Sequence, residues 1–457
     1  MSVCGAQADE RTIIAAMREF WRTDDLDRQR AIVEKIAADP AYARARVSEW
    51  LHAAIEFEPA KPGELRLDVP LVSGETRSVL VRIPPDYDPT RPWPMIYALH
   101  GTGGDAAGIL RFYERLLGER ADEFLIAAPD RYHDMIVYHP DWPPLGEHPT
   151  IRAALRRRLH VDNDRVYVSG YSRGGHATWM QALLHADEFA GALALAGTFV
   201  IPEHERLWAS FVPNLQSTYF ACVWGENDVL DPAGRRSAGG GITGLNRGIR
   251  AVARELSVPL HMIELPDHGH GDIRPPASIL DAWLAARRAH APPTIAHTFR
   301  HESQAQAYWL EANEWTGAQW TDQPIELHLR AGESANNPDD VHDATARAYR
   351  QLLGELRGRI DGQQIRVSRK HIKELTVWLL DGMVDWEQPV TLIAGGREVF
   401  GQRVAPSLHV CLTQARRTYD FDRLRWAGLR YRSGGRAKLV TPDTSFPDLL
   451  SRTGDGD

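Results

Sequence analysis

One serine of this chain lies in a pattern that suits nucleophilic catalysis. Ser172 is the centre of GYSRG (170–174), which follows the apolar run "DRVYVSG" and precedes "GGHATWMQALL". A strand, a tight turn and a helix in this order hold a serine at a helix N-terminus, where N–H groups stabilise developing negative charge. A GxSxG match alone is weak evidence, so the alternative is that Ser172 is an ordinary hydroxyl in a glycine-rich loop.

A serine hydroxyl needs a base to act as a nucleophile at neutral pH. In the strand–turn–helix arrangement an acid and then a histidine follow in chain order, each after a later strand. Asp228 follows "TYFACVWG" and His270 follows "LHMIELPD", so both are predicted at carboxyl ends of parallel strands, where ligand sites of open sheets lie. Asp231 and His268 stay open as alternatives. Asp231 could cap the next helix, or the roles of Asp228 and Asp231 could be reversed.

Attack on a carbonyl also needs backbone N–H donors for the oxyanion. The residue after the nucleophile, Arg173, is predicted to supply one of them. The other should come from the loop after an early strand, and "ALHGTGGDA" fits that description. In this loop Thr102 is the first candidate and Gly103 the second.

Three residues are candidates for substrate contact. Trp142 belongs to an aromatic segment at 131–149, for which plain loop packing is an equal alternative. Tyr171 directly precedes the nucleophile. His176 follows it within the predicted helix, where packing of the helix face is the competing interpretation.

The charged and sulfur-containing residues exclude several classes of function. The three cysteines are far apart and form no CxxC pair, which argues against disulfides and zinc. A metal site built from 267–272 (DHGHGD) is conceivable, but a triad histidine loop already explains that cluster, so neither metal nor cofactor is predicted. The net charge of −8 argues against nucleic acid. Without a recognisable signal peptide or a long apolar span, the chain is expected to be soluble and cytoplasmic.

The order of elements predicts an α/β fold with further modules on either side. Apolar runs alternate with helical segments over 61–292, which predicts a mostly parallel sheet covered on both faces and preceded by a hairpin. Residues 1–60 are predicted to be helical and to form a cap or to pack on the flank of a core. Short strands over 293–445 predict a β-sandwich of Ig-like type with a helix near 341–360, and 446–457 is predicted to be a disordered tail. The helices expected within the α/β part lie near 105–119, 145–159, 174–186, 243–256 and 277–289.

The motifs "LHGTGG", "GYSRGGHATW", "WGENDVLD" and "DHGHGD" together resemble the α/β-hydrolase superfamily. They are most similar to its esterase branch around polyhydroxybutyrate depolymerase-like and feruloyl or acetyl-xylan esterase-like proteins. The resemblance covers roughly 64–290 and implies Ser172 as nucleophile, Asp228 as acid and His270 as base. The run "DWEQPVTLIAGGREVF" resembles β-sandwich modules attached to such hydrolases, although the helix near 341–360 departs from that pattern.

The expected function is therefore a serine hydrolase that cleaves a small-molecule or polymer-linked carboxylic ester through an acyl-enzyme, with no nucleic-acid or membrane partner. One alternative is a peptidase of the prolyl oligopeptidase type, although such enzymes usually carry an N-terminal propeller far larger than the helices here. Another alternative is a non-catalytic binding or scaffold protein, which leaves the full set of triad residues unexplained. The C-terminal module could contact carbohydrate, wall off the active site or form a homo-oligomer.

Overall fold

The chain begins with three helices. The computed structural model describes residues 3–71, 73–130, 147–199, 207–231, 240–317 and 326–444. The three helices are α1 (Val3–Arg22), α2 (Leu26–Ala37) and α3 (Val47–Ala54). The Asp25 carboxylate starts α2 by accepting hydrogen bonds from the first N–H groups of that helix. Among the described residues, no helix is both long enough and apolar enough to cross a membrane.

An eight-stranded sheet follows these helices. Its strands are β1 (Gly63–Pro70), β2 (Thr76–Ile83), β3 (Trp93–Leu99), β4 (Leu125–Pro129), β5 (Val161–Tyr171), β6 (Gly191–Leu195), β7 (Tyr219–Gly225) and β8 (Leu260–Leu265). They lie in the order β1-β2-β4-β3-β5-β6-β7-β8. The β1–β2 hairpin is antiparallel, β2 is antiparallel to β4, and the other neighbours are parallel. The predicted edge hairpin and parallel sheet are confirmed.

Helices cover both faces of this sheet. They are α4 (Ala106–Leu117), α5 (Glu147–Arg158), α6 (Arg173–Leu184), α7 (Trp208–Phe211), α8 (Gly241–Glu255) and α9 (Ala277–Ala285). In β3, Met95 and Tyr97 enter one apolar core with α5, α6 and α8, whereas Ile96 and Ala98 enter another with α4 and α9. Because both faces are buried, the strands appear in the sequence as continuous apolar runs.

The C-terminal region is rich in strands. Its elements are β9 (Thr294–Phe299), β10 (Gln306–Ala307), β11 (Leu310–Trp315), α10 (Pro338–Leu352), β12 (Gly354–Asp361), β13 (Gln364–Lys370), β14 (Ile372–Leu380), β15 (Pro389–Ala394), β16 (Arg397–Arg403), α11 (Leu408–Thr418), β17 (Arg425–Arg432) and β18 (Lys438–Leu439). The strands form two five-stranded sheets, β10-β11-β14-β17-β18 and β16-β15-β13-β12-β9. Side chains of both sheets, among them Val377 and Leu356, share one apolar core. The predicted β-rich module is confirmed, and its Ig-like type stays a prediction.

Two parts of this module differ from the prediction. The helix expected near 341–360 ends at Leu352, and the residues from Gly354 onward form β12. Helix α11 was not predicted, although Ser407 begins it by accepting a hydrogen bond from Val410 N–H. The predicted disordered tail at 446–457 lies outside the described residues.

The N-terminal helices pack against the C-terminal module. Residues of α1 to α3 belong to the same apolar core as the two C-terminal sheets. Trp21 of α1 meets Tyr419 and Phe421 edge to face, with ring centroids 5.3 and 5.5 Å apart. His52 of α3 bonds both Asp422 and His160, which ties the C-terminal module to the central sheet. Of the two predicted placements for these helices, the flank of a core is therefore the one adopted.

Candidate active site

Ser172 lies in the turn between β5 and α6, at the carboxyl edge of the central sheet. Its backbone has φ 57° and ψ −116°, a conformation that residues other than glycine rarely adopt. Ser172 N–H donates to Leu195 O at 2.8 Å, and Ser172 O accepts from His176 N–H at 3.0 Å. The turn is thus held by the neighbouring strand and by the first turn of the helix, and the serine side chain stays partly exposed.

Glycines on either side of Ser172 let β5 and α6 approach the neighbouring strand closely. A Cβ atom at Gly174 would lie 2.0 Å from Leu99 O, and one at Gly170 would lie 2.4 Å from Gly174 O. Both obstacles are backbone atoms of central elements, which cannot rotate away. The glycines of the GxSxG motif are therefore required by space.

Replacing Gly174 with alanine is expected to destabilise the protein by about 3 kcal/mol, because the new methyl group forces β3 and α6 apart. Thermal unfolding measures this effect as a lower midpoint temperature. Gly269→Ala is the matched control, since a Cβ there meets nothing within 4 Å. Equal midpoints for the two variants would contradict the steric argument.

Three side chains from separate elements form a hydrogen-bonded series. Ser172 Oγ lies 2.7 Å from His270 Nε2, and His270 Nδ1 lies 2.8 Å from Asp228 Oδ2. Asp228 is fully buried, whereas His270 is partly exposed. The geometry suits a neutral imidazole whose Nδ1 donates to the carboxylate and whose Nε2 accepts from the serine hydroxyl.

The loops that carry Asp228 and His270 are bonded to each other. Asn227 N–H donates to His268 O at 2.8 Å. A Cβ at Gly225 would lie 2.3 Å from the same His268 oxygen, so the two loops cross in close contact. Thr243 of α8 also donates its hydroxyl to Gly225 O at 2.8 Å. Thr243 was not singled out in the sequence, because only the folded chain brings α8 to this loop.

The alternative acid and base lie elsewhere. His268 is exposed, and its Nδ1 lies 2.7 Å from Pro266 O. Both ring nitrogens of His270 are engaged by Ser172 and Asp228, and Asp231 is partly exposed three residues further along. In the described part of the chain, no group of three or more His, Cys, Asp or Glu side chains is arranged to hold a metal ion.

The expected oxyanion loop lies beside the serine. A Cβ at Gly101 would lie 3.4 Å from Ser172 Cβ, which places the β3–α4 loop directly against the nucleophile candidate. Gly104 N–H donates to Gly101 O at 3.0 Å, so this loop is a tight turn with Thr102 exposed inside it. Arg173 is the first residue of α6, in the turn whose N–H groups have no acceptor within the helix itself.

Tyr171 connects the serine turn to the histidine loop. Its hydroxyl donates to His270 O at 2.7 Å and accepts from Ile273 N–H at 3.1 Å. Burial raises the pKa of the Tyr171 phenol, which keeps it protonated as a donor. The sequence predicted Tyr171 only as a substrate contact, since a motif position next to the nucleophile gives no sign of a bond to a loop about a hundred residues later.

His176 is buried in α6 and bonded to the backbone. Its Nδ1 lies 2.9 Å from both Thr198 O and Thr198 N. Burial lowers the pKa of His176 to about 4, so its ring is neutral at physiological pH. The structure thus places His176 in the packed face of the helix, and its predicted substrate contact stays a prediction. Trp142 lies outside the described residues.

Known proteins resemble the chain in structure. No protein-family model and no curated protein matches the sequence. A thermostable esterase has 19% identity and a TM-score of 0.35, with 45% of this chain and 55% of that chain covered, so this chain spans about half of its length. S-formylglutathione hydrolase FrmB of Staphylococcus aureus has 15% identity and a TM-score of 0.35, with 46% of this chain and 92% of that chain covered. The CE1 ferulic acid esterase AmCE1/Fae1A of Anaeromyces mucronatus has 15% identity and a TM-score of 0.36, with 51% of this chain and 94% of that chain covered.

These three structures carry the names of two esterases and a hydrolase. One of these names, ferulic acid esterase, is a kind of protein that the sequence motifs also resemble.

Proposed function

We propose that the chain is a serine hydrolase that cleaves carboxylic esters through an acyl-enzyme. The observation that carries the proposal is the series Ser172 Oγ, His270 and Asp228, with separations of 2.7 and 2.8 Å. A serine bonded to a neutral imidazole, which is itself bonded to a buried carboxylate, is the arrangement that activates a hydroxyl.

In the first half of the reaction, His270 Nε2 takes the Ser172 proton as Oγ attacks the ester carbonyl carbon. The carbonyl π electrons move to oxygen, and the Arg173 and Thr102 N–H groups stabilise that oxyanion. Asp228 keeps the His270 proton on Nδ1 and stabilises the imidazolium that forms. The oxyanion then collapses, the bond to the alcohol oxygen breaks, and His270 gives its proton to the departing alcohol.

In the second half, the same residues release the acid. His270 removes a proton from water as the water oxygen attacks the acyl carbon on Ser172. The second tetrahedral oxyanion collapses, and His270 returns the proton to Ser172 Oγ as that bond breaks. In total, one ester and one water are consumed, and one alcohol and one acid are released.

Initial rates on p-nitrophenyl esters from acetate to octanoate test the proposal, with p-nitroacetanilide as the matching amide and Ser172→Ala as the blank. We expect hydrolysis of the esters and little of the amide. Faster cleavage of the amide would favour a peptidase instead. No turnover of any substrate, together with no covalent labelling by a fluorophosphonate probe, would favour a binding protein on this fold.

A further inference from the structure

Two cavities lie next to Tyr171, the residue before Ser172. The first has a volume of about 290 Å³ and is lined by His100, by glycines of the following turn, by Asp105 and by the start of α4. The second has a volume of about 400 Å³ and is lined by the later part of α4 and by Gly271, Asp272 and Arg274. Phe112 and Tyr171 line both, and we treat the two neighbouring cavities as one cleft, here called the α4 cleft.

The α4 cleft starts at the turn that lies against Ser172 and runs along one face of α4. Gly101, at its near end, is the residue whose Cβ would lie 3.4 Å from Ser172 Cβ. Gly108, Phe112 and Arg115 follow one another on the helix face that lines it. At 1.5 Å per residue, the distance along α4 from Gly108 to Arg115 is about 10 Å, which suits a substrate arm of several carbons or one aromatic ring.

The wall and the far end of the α4 cleft differ in chemistry. Phe112, Leu116 and Tyr171 make the wall apolar and aromatic. The far end holds Arg115 and Arg274 with a single carboxylate, Asp272, which lies 3.3 Å from Arg274. Within the described residues Arg115 is exposed and takes part in none of the ion pairs, so the far end has an excess of one positive charge.

We infer that the α4 cleft binds an ester arm that has an apolar or aromatic middle part and ends in a carboxylate. The inference rests on the proposed ester hydrolysis and adds its substrate class, namely half-esters of dicarboxylic acids or esters of carboxylated alcohols. The apolar wall desolvates the arm, and the guanidinium of Arg115, assisted by Arg274, pairs with the terminal carboxylate.

Two matched substrate pairs test the inference. The p-nitrophenyl half-ester of adipic acid is compared with p-nitrophenyl hexanoate, which has the same length and ends in a methyl group. For the alcohol arm, 4-acetoxybenzoate is compared with its methyl ester. We expect kcat/KM to be about 5-fold higher for the carboxylate in at least one pair, the size of a solvent-exposed ion pair, and to decline as NaCl is raised.

Charge-removing variants assign the effect to the α4 cleft. In Arg115→Gln/Arg274→Gln the preference should disappear while kcat/KM for the neutral esters stays within about 2-fold. Arg111→Gln is the control, since Arg111 is exposed on the same helix and does not line the cleft. Hydrolysis of the neutral esters without a carboxylate preference in either pair, or a preference kept by the double variant, overturns the inference alone. No hydrolysis of any ester overturns the proposed function, and the inference with it.

Discussion

Replacing Ser172 with alanine is expected to lower kcat/KM for p-nitrophenyl acetate by about 10⁴- to 10⁶-fold. In the proposed mechanism the variant removes the atom that attacks the carbonyl and receives the acyl group, and it leaves His270 beside an empty position. What activity persists should come from the oxyanion donors and from general-base attack by water. One measurement is the initial rate at several enzyme concentrations. The other is the intact-protein mass after treatment with a fluorophosphonate, because this reagent should attach covalently to the parent protein and not to the variant.

Ser169→Ala provides the matched control for this loss. Ser169 lies three residues earlier in β5, fully buried, with its hydroxyl donating to Leu193 O at 2.6 Å. Its loss should lower the thermal midpoint and keep kcat/KM within about 3-fold, because it touches no reacting atom. If Ser172→Ala kept a tenth of the parent activity, or if both variants lost activity equally, Ser172 would not be the nucleophile.

The turn around Ser172 could be predicted from the sequence because its signals are local. The apolar run of β5, the glycines at 170 and 174 and the start of α6 all lie within about twenty residues, and the structure joins them in that order. The sheet was equally readable, since strands buried on both faces give unbroken apolar runs. Elements whose form is decided by neighbours in sequence were thus predictable with nearly correct bounds.

The break between α10 and β12 shows why other elements were not predictable. A Cβ at Gly354 would lie 2.4 Å from the Phe299 ring, and one at Gly358 would lie 2.3 Å from the Trp309 ring. These glycines admit aromatic rings of β9 and of the turn between β10 and β11, which are distant in sequence. Read locally, the segment looks like one helix. Long-range packing, which no local pattern contains, decides that its second half is a strand.

The choice between neighbouring titratable residues has the same physical origin. Asp228 and Asp231 both follow β7, and His268 and His270 both follow β8, so spacing could not separate them. The contact between the two loops, with Asn227 N–H on His268 O, fixes which side chains turn toward Ser172. That contact joins residues some forty positions apart and is visible only in three dimensions. The α4 cleft, with its aromatic wall and its arginines, was missed in the sequence for the same reason.

Replacing Asp228 with asparagine is expected to lower kcat by about 10³- to 10⁴-fold and to leave KM nearly unchanged. Asp228 Oδ2 accepts the Nδ1 proton of His270 at 2.8 Å. An asparagine that turns its NH₂ group toward Nδ1 favours the other tautomer, in which Nε2 carries the proton and cannot accept one from Ser172. The substitution keeps the volume of a fully buried side chain, so circular dichroism and the thermal midpoint should show a folded protein.

Asp231→Asn is the matched control for the loss expected in Asp228→Asn. Asp231 lies three residues further along and is partly exposed, and His270 has no ring nitrogen left for it once Ser172 and Asp228 are bonded. Its kcat should therefore change by less than about 3-fold. A larger loss in Asp231→Asn than in Asp228→Asn would reverse the two roles. Equal and small losses would mean that the histidine keeps its working tautomer without a carboxylate, and the proposed mechanism would then lack its third member.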